Sequence, residues 1–430
     1  MGWPAGGPLV RPMVVAETLP SGVRLVTERM PHVRSVSVGV WLTRGSRHES
    51  DAESGVAHFV EHMLFKGTTT RSAQVIAQTI DSIGGQLDAF TAKEYAGYYI
   101  KVLDDHLPLA IDLLSDLVLR PAFSPTDIDR EQSVILEEIK MVEDAPDDLV
   151  HEVFAQQFWA RHPLGRPILG TPETVESFDA DRLRRYFNRT YLAPNLVIAA
   201  AGHLEHAALK ALVEEAFAAV PPGAAAAAGE PPAVTPGLVV RQKDIEQSHL
   251  CLGTPAYPTA HEDRHALYVL NTILGGSMSS RLFQHIREER GLAYAVFSNL
   301  TTYSDAGAIT VYAGCATEKI PEVVDLTLVE LRDLRETAVE DAELQRAKDH
   351  LKGSLMLSLE NTSSRMSQLA RHQLYFGRHF TLDELLGSID RVSADDVQRV
   401  AVDLFHDGAA VATVVGPKAD AAITMEQLRA

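Results

Sequence analysis

Cysteine is nearly absent from this sequence. Cys251 and Cys315 are the only two among 430 residues, far apart and in no metal-ligand spacing. That excludes a disulfide framework and fits a reducing compartment. Basic residues are in the minority, 39 against 58 acidic ones, for a net charge of −19. Nucleic-acid binders draw much of their affinity from Lys and Arg on phosphates, so no nucleic-acid partner is expected. Missing too is any run near the roughly 20 apolar residues that span a bilayer. The opening MGWPAGGPLVRPMVV places Gly and Pro where a signal peptide needs a continuous apolar stretch. Trp3-Pro4 follows Met1-Gly2 in place of a myristoylation pattern. The expectation is a short tail over 1–13, no membrane partner and a cytoplasmic protein. GxG-type phosphate loops and Ser or Cys nucleophile motifs are absent in any convincing context.

At 430 residues the chain exceeds the roughly 250–300 at which a single core stops growing, so two or more domains are expected. Pro221-Pro222-Gly223, five alanines, Pro231-Pro232 and Pro236-Gly237 follow one another too densely for helix or sheet to continue. This reads as a linker over 221–236, between a domain at 14–220 and a second at 237–430. Both halves run in the same order. In the first, Val36–Leu42 alternates like a strand. Ser54 reads as the N-cap of a helix ending at Gly67. Thr91–Leu103 reads as a strand, Leu107–Leu119 as an amphipathic helix, and Ser124-Pro125 as cap and first turn of another. In the second, strands at Ser248–Leu252 and Ala308–Ala313 accompany helices at His265–Leu274, Pro321–Glu336 and Asp341–Leu359. The pattern predicts an α+β fold of two duplicated sandwich-like domains, each an antiparallel-rich sheet with helices.

Inside the first helix stands His58-Phe59-Val60-Glu61-His62. Four residues apart, the two imidazoles point to one side within about 40°, and Glu61 lies on the adjacent part of that face. Two neutral imidazoles can take two positions of a tetrahedral Zn²⁺, and Glu61 can accept a proton from water that the metal activates. Val56, Phe59, Val60, Met63 and Leu64 are apolar, which predicts a buried helix. The competing reading is a satisfied histidine pair in the core, and a metal site needs a third ligand. Glu131 and Glu138 are candidates. Seven residues apart, they share a helical face within about 20° among apolar Ile128, Val134, Ile135, Leu136 and Ile139. A carboxylate facing that core needs a compensating cation; otherwise the run is a solvated acidic face.

The sequence resembles the pitrilysin and mitochondrial processing peptidase family, the inverted-motif zinc peptidases or inverzincins. The matching stretches are SGVAHFVEHMLFKGT (54–68), GGQLDAFTAKEYAGYYIKVL (84–103), REQSVILEEIKMVED (130–144), HPLGRPILGTPETV (162–175), NTILGGSMSSRLFQHIREERGLAYAVFS (271–298) and LKGSLMLSLENTSSRMS (351–367). In that family the third ligand is a Glu some 76 positions after the second His, the place Glu138 holds. The resemblance implies one Zn²⁺ per chain on His58, His62 and Glu138, with Glu61 as general base and Glu131 as a supporting acidic group beside the ligands. It implies that Arg287 and Tyr294 contact the substrate carbonyl; their competing reading is a charged helix face. It implies an edge strand containing Asp88, Ala89 and Phe90, on which an extended peptide is added by backbone hydrogen bonds. Many relatives have Asn where this chain has Asp88.

Aligning the halves sets Tyr268, Asn271 and Thr272 where His58, Glu61 and His62 stand, and Ser354 at the Glu138 position, so only one half holds ligands. A rival pair, His203 and His206 in His203-Leu204-Glu205-His206, has no third ligand and reads as a strand-to-helix turn. The resemblance implies a zinc endopeptidase acting on unfolded peptides, homodimeric, with Arg287 and Tyr294 of one chain completing the site of the other. The alternatives are a non-catalytic core subunit of a larger assembly, or the catalytic half of a heterodimer.

Overall fold

The structure, a computed structural model, describes residues 14–224, 229–417 and 423–429. The tail expected over 1–13 lies outside the described residues, as do 225–228 of the expected linker. Eleven strands form two sheets among the described residues. The first contains β1 (Val14–Thr18), β2 (Arg24–Arg29), β3 (Ser35–Leu42), β4 (Gln86–Thr91), β5 (Ala96–Leu103) and β6 (Leu196–Gly202), in the order β1-β2-β6-β3-β5-β4. The second contains β7 (Gly237–Gln242), β8 (Ser248–Ala256), β9 (Ala293–Thr302), β10 (Gly307–Cys315) and β11 (Val411–Gly416), in the order β7-β11-β8-β10-β9. Leaving out β1, the sheets have the same plan. β2 runs parallel to β6 as β7 does to β11, and every other pairing is antiparallel. The duplication expected from element order is therefore a duplication of topology, and the fold is α+β.

The first half carries helices α1 (Val56–Leu64), α2 (Ala73–Ser82), α3 (Leu107–Leu119), α4 (Pro125–Asp144), α5 (Pro146–Phe158), α6 (Pro172–Glu176), α7 (Ala180–Thr190) and α8 (His206–Ala216). The second carries α9 (Arg264–Leu274), α10 (Ile320–Glu336), α11 (Asp341–Ser358), α12 (Thr362–Tyr375), α13 (Leu382–Asp390) and α14 (Ala394–Leu404). Alternation along β3 and β6 sends Val36, Val38, Val40, Ile198 and Ala200 into a core shared with α1, α3 and α8. A second core forms in the same way between β8, β10, β11 and α9, α10 and α14.

The other face of each sheet is covered by a helix from the opposite half. Met366, Leu369 and Ala370 of α12 pack on Trp41, Val197, Ala199 and Ala201 of the first sheet. Leu149, Val150, Val153 and Phe154 of α5 pack on Cys251, Tyr312, Val411 and Val415 of the second. Polar contacts run across the same seam. Ser37 Oγ lies 2.9 Å from Thr362 Oγ1, and the Arg47 guanidinium donates to both carboxylate oxygens of Asp305 at 2.9 and 2.8 Å.

Three local expectations are corrected. Ser54 does not cap the metal-motif helix. Gly55 takes the cap position with φ 93°, and the Glu49 carboxylate accepts from the Gly55 and Ala57 N–H groups at 2.8 and 2.7 Å. Its oxygens satisfy donors that the first turn leaves free, while burial, opposed by those two bonds, pushes the Glu49 pKa up to about 8. The helix also ends at Leu64, before Gly67. The single strand expected over Thr91–Leu103 is two, because the chain reverses at Ala92–Tyr95, where Ala92 N–H donates to Tyr95 O. Ser124 and Pro125 do open α4, although the Ser124 side chain makes no capping bond.

Candidate metal centre

α1 and α4 pack together, and the packing turns the inner faces of both towards one point. Val56, Phe59, Val60, Met63 and Leu64 are buried, so the helix is fixed by its apolar face and cannot rotate its two histidines away. His58 Nε2 lies 3.7 Å and His62 Nε2 3.6 Å from Glu138 Oε2. At that separation they do not hydrogen-bond to one another. A tetrahedral zinc with bonds near 2.0–2.1 Å sets its ligand atoms about 3.4 Å apart, so the donor set fits the ion. Among the described residues, this is the only group of three or more His, Cys, Asp or Glu whose ligand atoms all lie within 4.8 Å of one another.

The surroundings prepare these donors. Burial, aided by the neighbouring His62, holds the His58 pKa down to about 3, so the ring stays neutral and keeps a lone pair for a cation. His62 Nδ1 sits 2.9 Å from Glu131 Oε2, and Lys66 Nζ bonds the other Glu131 oxygen at 2.7 Å. With Nδ1 donating to that carboxylate, the His62 lone pair is on Nε2, facing Glu138. Glu131 is 4% exposed, its charge matched by Lys66. Glu61 accepts a hydrogen bond from Thr91 Oγ1 at 2.5 Å. Burial raises the Glu61 pKa, the Thr91 bond opposes this, and the charges of Asp88 and Glu138 add to the rise, which makes the carboxylate a stronger base.

The centre opens on a cavity of about 280 Å³ with Glu61, His62 and Glu131 on one side and Leu87, Asp88 and Ala89 of β4 on the other. β4 is the edge of its sheet. Because Ala92 N–H bonds Tyr95 O, the antiparallel alternation leaves the N–H and C=O groups of Thr91, Ala89 and Leu87 pointing off the edge. Asp88 folds back on that edge. Its Oδ1 accepts from Ala89 N–H at 2.8 Å, and its Oδ2 accepts from Tyr99 OH at 3.0 Å. Phe90 turns to the opposite face, with ring centroids 5.4 Å from Trp41 and 5.8 Å from Tyr95.

Arg287 and Tyr294 meet each other but not the centre. Arg287, in a π-helical segment Phe283–Glu288, places its guanidinium carbon 4.8 Å from the Phe283 ring centroid and 5.2 Å from that of Tyr294. Tyr294 is the second residue of β9 and is 78% exposed. No hydrogen bond, ion pair or ring contact joins either to His58, Glu61, His62 or Glu138 among the described residues.

The rival pair has other work. His203 bonds Asp104 at 2.5 Å, and His206 bonds Glu17 and Thr27 at 2.7 and 2.8 Å, tying α8 to the sheet. In the second half Asn271 accepts from Ser298 Oγ at 2.8 Å, and Thr272 donates to its own helix backbone at Tyr268. The sequence reading missed Glu49, Lys66 and Thr91. Lys66 falls one helical turn after His62 and was open to discovery. Glu49 and Thr91 reach α1 from separate elements, and no local pattern announces them.

Residues 24–172 match the family described as Insulinase (Peptidase family M16), and residues 177–351 match its Peptidase M16 inactive domain. The chain is 43% identical over 402 residues to an uncharacterized zinc protease of Bacillus subtilis, covering 94% of this chain and 98% of that one. It is 43% identical over 411 residues to an uncharacterized zinc protease of Streptomyces coelicolor, covering 94% and 89%. A solved protease from Helicobacter pylori shares the fold with TM-score 0.87 at 21% identity, over 94% of this chain and 100% of that chain. A structure from Pseudomonas fluorescens described as a peptidase M16 inactive domain gives TM-score 0.89 at 22% identity, over 94% and 98%. With two matched regions in the order of the two sheets and relatives aligned almost end to end, this chain belongs to the M16 peptidase family.

Proposed function

We propose that this protein is a zinc-dependent endopeptidase that cleaves unfolded or extended peptides in the cytoplasm. The observation that supports it most is the convergence of His58 Nε2, His62 Nε2 and Glu138 Oε2 beside Glu61 and an open sheet edge. His58, His62 and Glu138 would hold one zinc per chain. When bound, the ion supplies Lewis-acid chemistry, polarising a carbonyl and making water nucleophilic near neutral pH. Glu61 takes the proton from the attacking water and returns it to the leaving amine, with Thr91 holding the carboxylate in place. Glu131 orients His62. The substrate lies along β4, bonded to the outward backbone groups of Leu87, Ala89 and Thr91 once the Asp88 carboxylate releases Ala89 N–H, a mode that accepts only extended chains. Arg287 and Tyr294, exposed and paired, donate to the carbonyl oxygen as it gains charge, from the second chain of a homodimer.

The test is metal content by mass spectrometry beside hydrolysis of a quenched unfolded peptide. Wild type is expected to hold about one zinc and to cleave. Glu61→Gln is expected to keep the zinc and lose at least about a hundredfold in kcat. A wild type without stoichiometric metal, or a Glu61→Gln variant as fast as wild type, overturns the reading. The dimer has its own test. Glu61→Gln and Arg287→Ala proteins, each inactive, are mixed and allowed to exchange. Random exchange makes half the dimers mixed, each with one intact site, so activity rises to about a quarter of wild type. No recovery means that Arg287 does not act in trans.

A further inference from the structure

In the second half, a cavity of about 540 Å³ lies beside the place that corresponds to the metal centre. α9 is the counterpart of α1, β9 of β4 and α11 of α4, and all three line it, with Tyr268 where His58 stands in the first half. α12 and α13 close the remaining side, and Tyr95 of the first half completes the wall.

The charge at this place is reversed. No Asp or Glu lines the cavity, in a chain with 58 of them against 39 Lys and Arg. Arg264 and Arg371 both line it, and neither has a carboxylate partner among the described residues. Arg264 is held on the wall, its guanidinium carbon 5.2 Å from the centroids of Phe376 and Phe380 and its Nη1 donating to His261 O. Arg371 makes no hydrogen bond at all among the described residues. The carboxylate beyond the wall, Glu94, is already engaged by Arg47, Ser304 and the Tyr375 hydroxyl.

Two further polar side chains line the same space without a protein hydrogen-bond partner among the described residues. Gln368 lines the cavity, is 8% exposed, and its amide has no partner among the described residues. Both ring nitrogens of His265 are buried without a partner. The rest of the wall mixes apolar side chains, among them Phe376, Phe380, Leu355 and Ile389, with Thr259, Thr301 and Thr302. A cavity of this size that sets apolar surface beside two guanidinium groups suits a small amphipathic molecule.

We propose that this cavity binds a small organic acid, its carboxylate held by Arg371 and Gln368 and its aromatic or branched body laid against Phe376, Phe380 and Leu355. A planar guanidinium free of protein partners suits a carboxylate through two parallel N–H···O bonds. Because Tyr95 belongs to the first half, an occupant touches both halves and stabilises their pairing. The proposal is independent of peptide hydrolysis.

The probe is phenylpropionate, titrated calorimetrically into the full chain beside its neutral amide. Saturable binding of the acid and a rise in Tm are expected, with the amide at least about tenfold weaker. Arg371→Ala, at an exposed position, is expected to keep its circular dichroism and peptide hydrolysis while losing at least about tenfold in acid affinity. Gln368→Leu is expected to weaken the acid as well. Absence of saturable binding up to about 10 mM, equal affinity for acid and amide, or unchanged affinity in Arg371→Ala would overturn the proposal. Binding of the acid at the metal centre would survive Arg371→Ala and vanish in His62→Ala, and that result would overturn it too.

Discussion

Asp88 sets up a competition at the sheet edge. Its carboxylate already occupies Ala89 N–H, one of the donors that an added peptide strand needs. A substrate carbonyl must displace it, losing roughly the net worth of one hydrogen bond, about 1 kcal/mol. Asp88→Ala is therefore expected to lower KM for an unfolded peptide about fivefold, with a smaller fall in kcat as Glu61 loses a neighbouring negative charge. Steady-state kinetics on the purified variant decide it, and a KM that rises would show that Asp88 guides the substrate instead. At this scale the sequence was partly legible. The His58–Glu61–His62 spacing placed three side chains on one face of α1, because an i,i+4 pair on an apolar helix has few geometries, but a satisfied core pair stayed open until the family resemblance was added. Glu138 was one of two candidates until the family resemblance separated them, since both acids share a helical face. The structure shows what separates them physically: Glu131 is spent on Lys66 and His62 Nδ1, whereas Glu138 faces both Nε2 atoms.

Helix α1 depends on its entry. Gly55 adopts φ 93°, and a Cβ there would lie 2.6 Å from Leu169 O and 2.8 Å from Gly170 Cα. Both neighbours are backbone, so neither yields easily. Gly55→Ala is expected to cost about 2–4 kcal/mol from the left-handed conformation and the clash together, read as a lower urea midpoint at constant m. His58 lies one turn further on, so zinc content should fall with it. Elements with strong internal period, such as Leu107–Leu119 and Val36–Leu42, were legible from sequence to within a residue. The break between β4 and β5 was not, because the turn Ala92-Lys93-Glu94-Tyr95 contains no Gly, Pro or Asn to announce it. The entry to α1 was misread for a related reason. Its cap is supplied by Glu49 from six residues upstream, which no local capping pattern describes.

For the molecule as a whole, stability concentrates on the seam. Arg47 and Glu94 bond at 2.6 Å with side chains only 5% and 8% exposed, and Asp305 and Ser304 of the second half join them. Arg47→Ala leaves Glu94 buried without its cation and is expected to cost about 3 kcal/mol in urea unfolding. Acid acts on the same whole. Burial, followed by nearby positive groups, holds the pKa of His265 and of His372 down to about 4, against 6.5 when exposed. Between those values the unfolded chain binds protons that the folded one refuses. The contribution of these two histidines is therefore complete above about pH 6.5 and falls as the pH drops towards 4, by up to about 1.4 kcal/mol per unit for each. Calorimetric Tm values from pH 7.5 to 4.5 are expected to show this slope, and His372→Gln to reduce it. The two-part organisation was legible from the Pro/Gly/Ala-rich stretch and the repeated element order. The crossing of α5 and α12 was not, because it is a matter of which sheet each helix reaches, and hydrophobic period does not record that.

That crossing bears on where such a chain comes from. α5 follows α4 as α12 follows α11, and the two helices cover corresponding strands, β11, β8 and β7 in one case and β6, β3 and β2 in the other. Each half thus lends the same piece to its neighbour, the arrangement of a domain-swapped dimer whose two subunits have been joined into a single polypeptide. A half expressed alone would have its lent helix unplaced and one sheet face bare, and would have to exchange that helix with a second copy to fold.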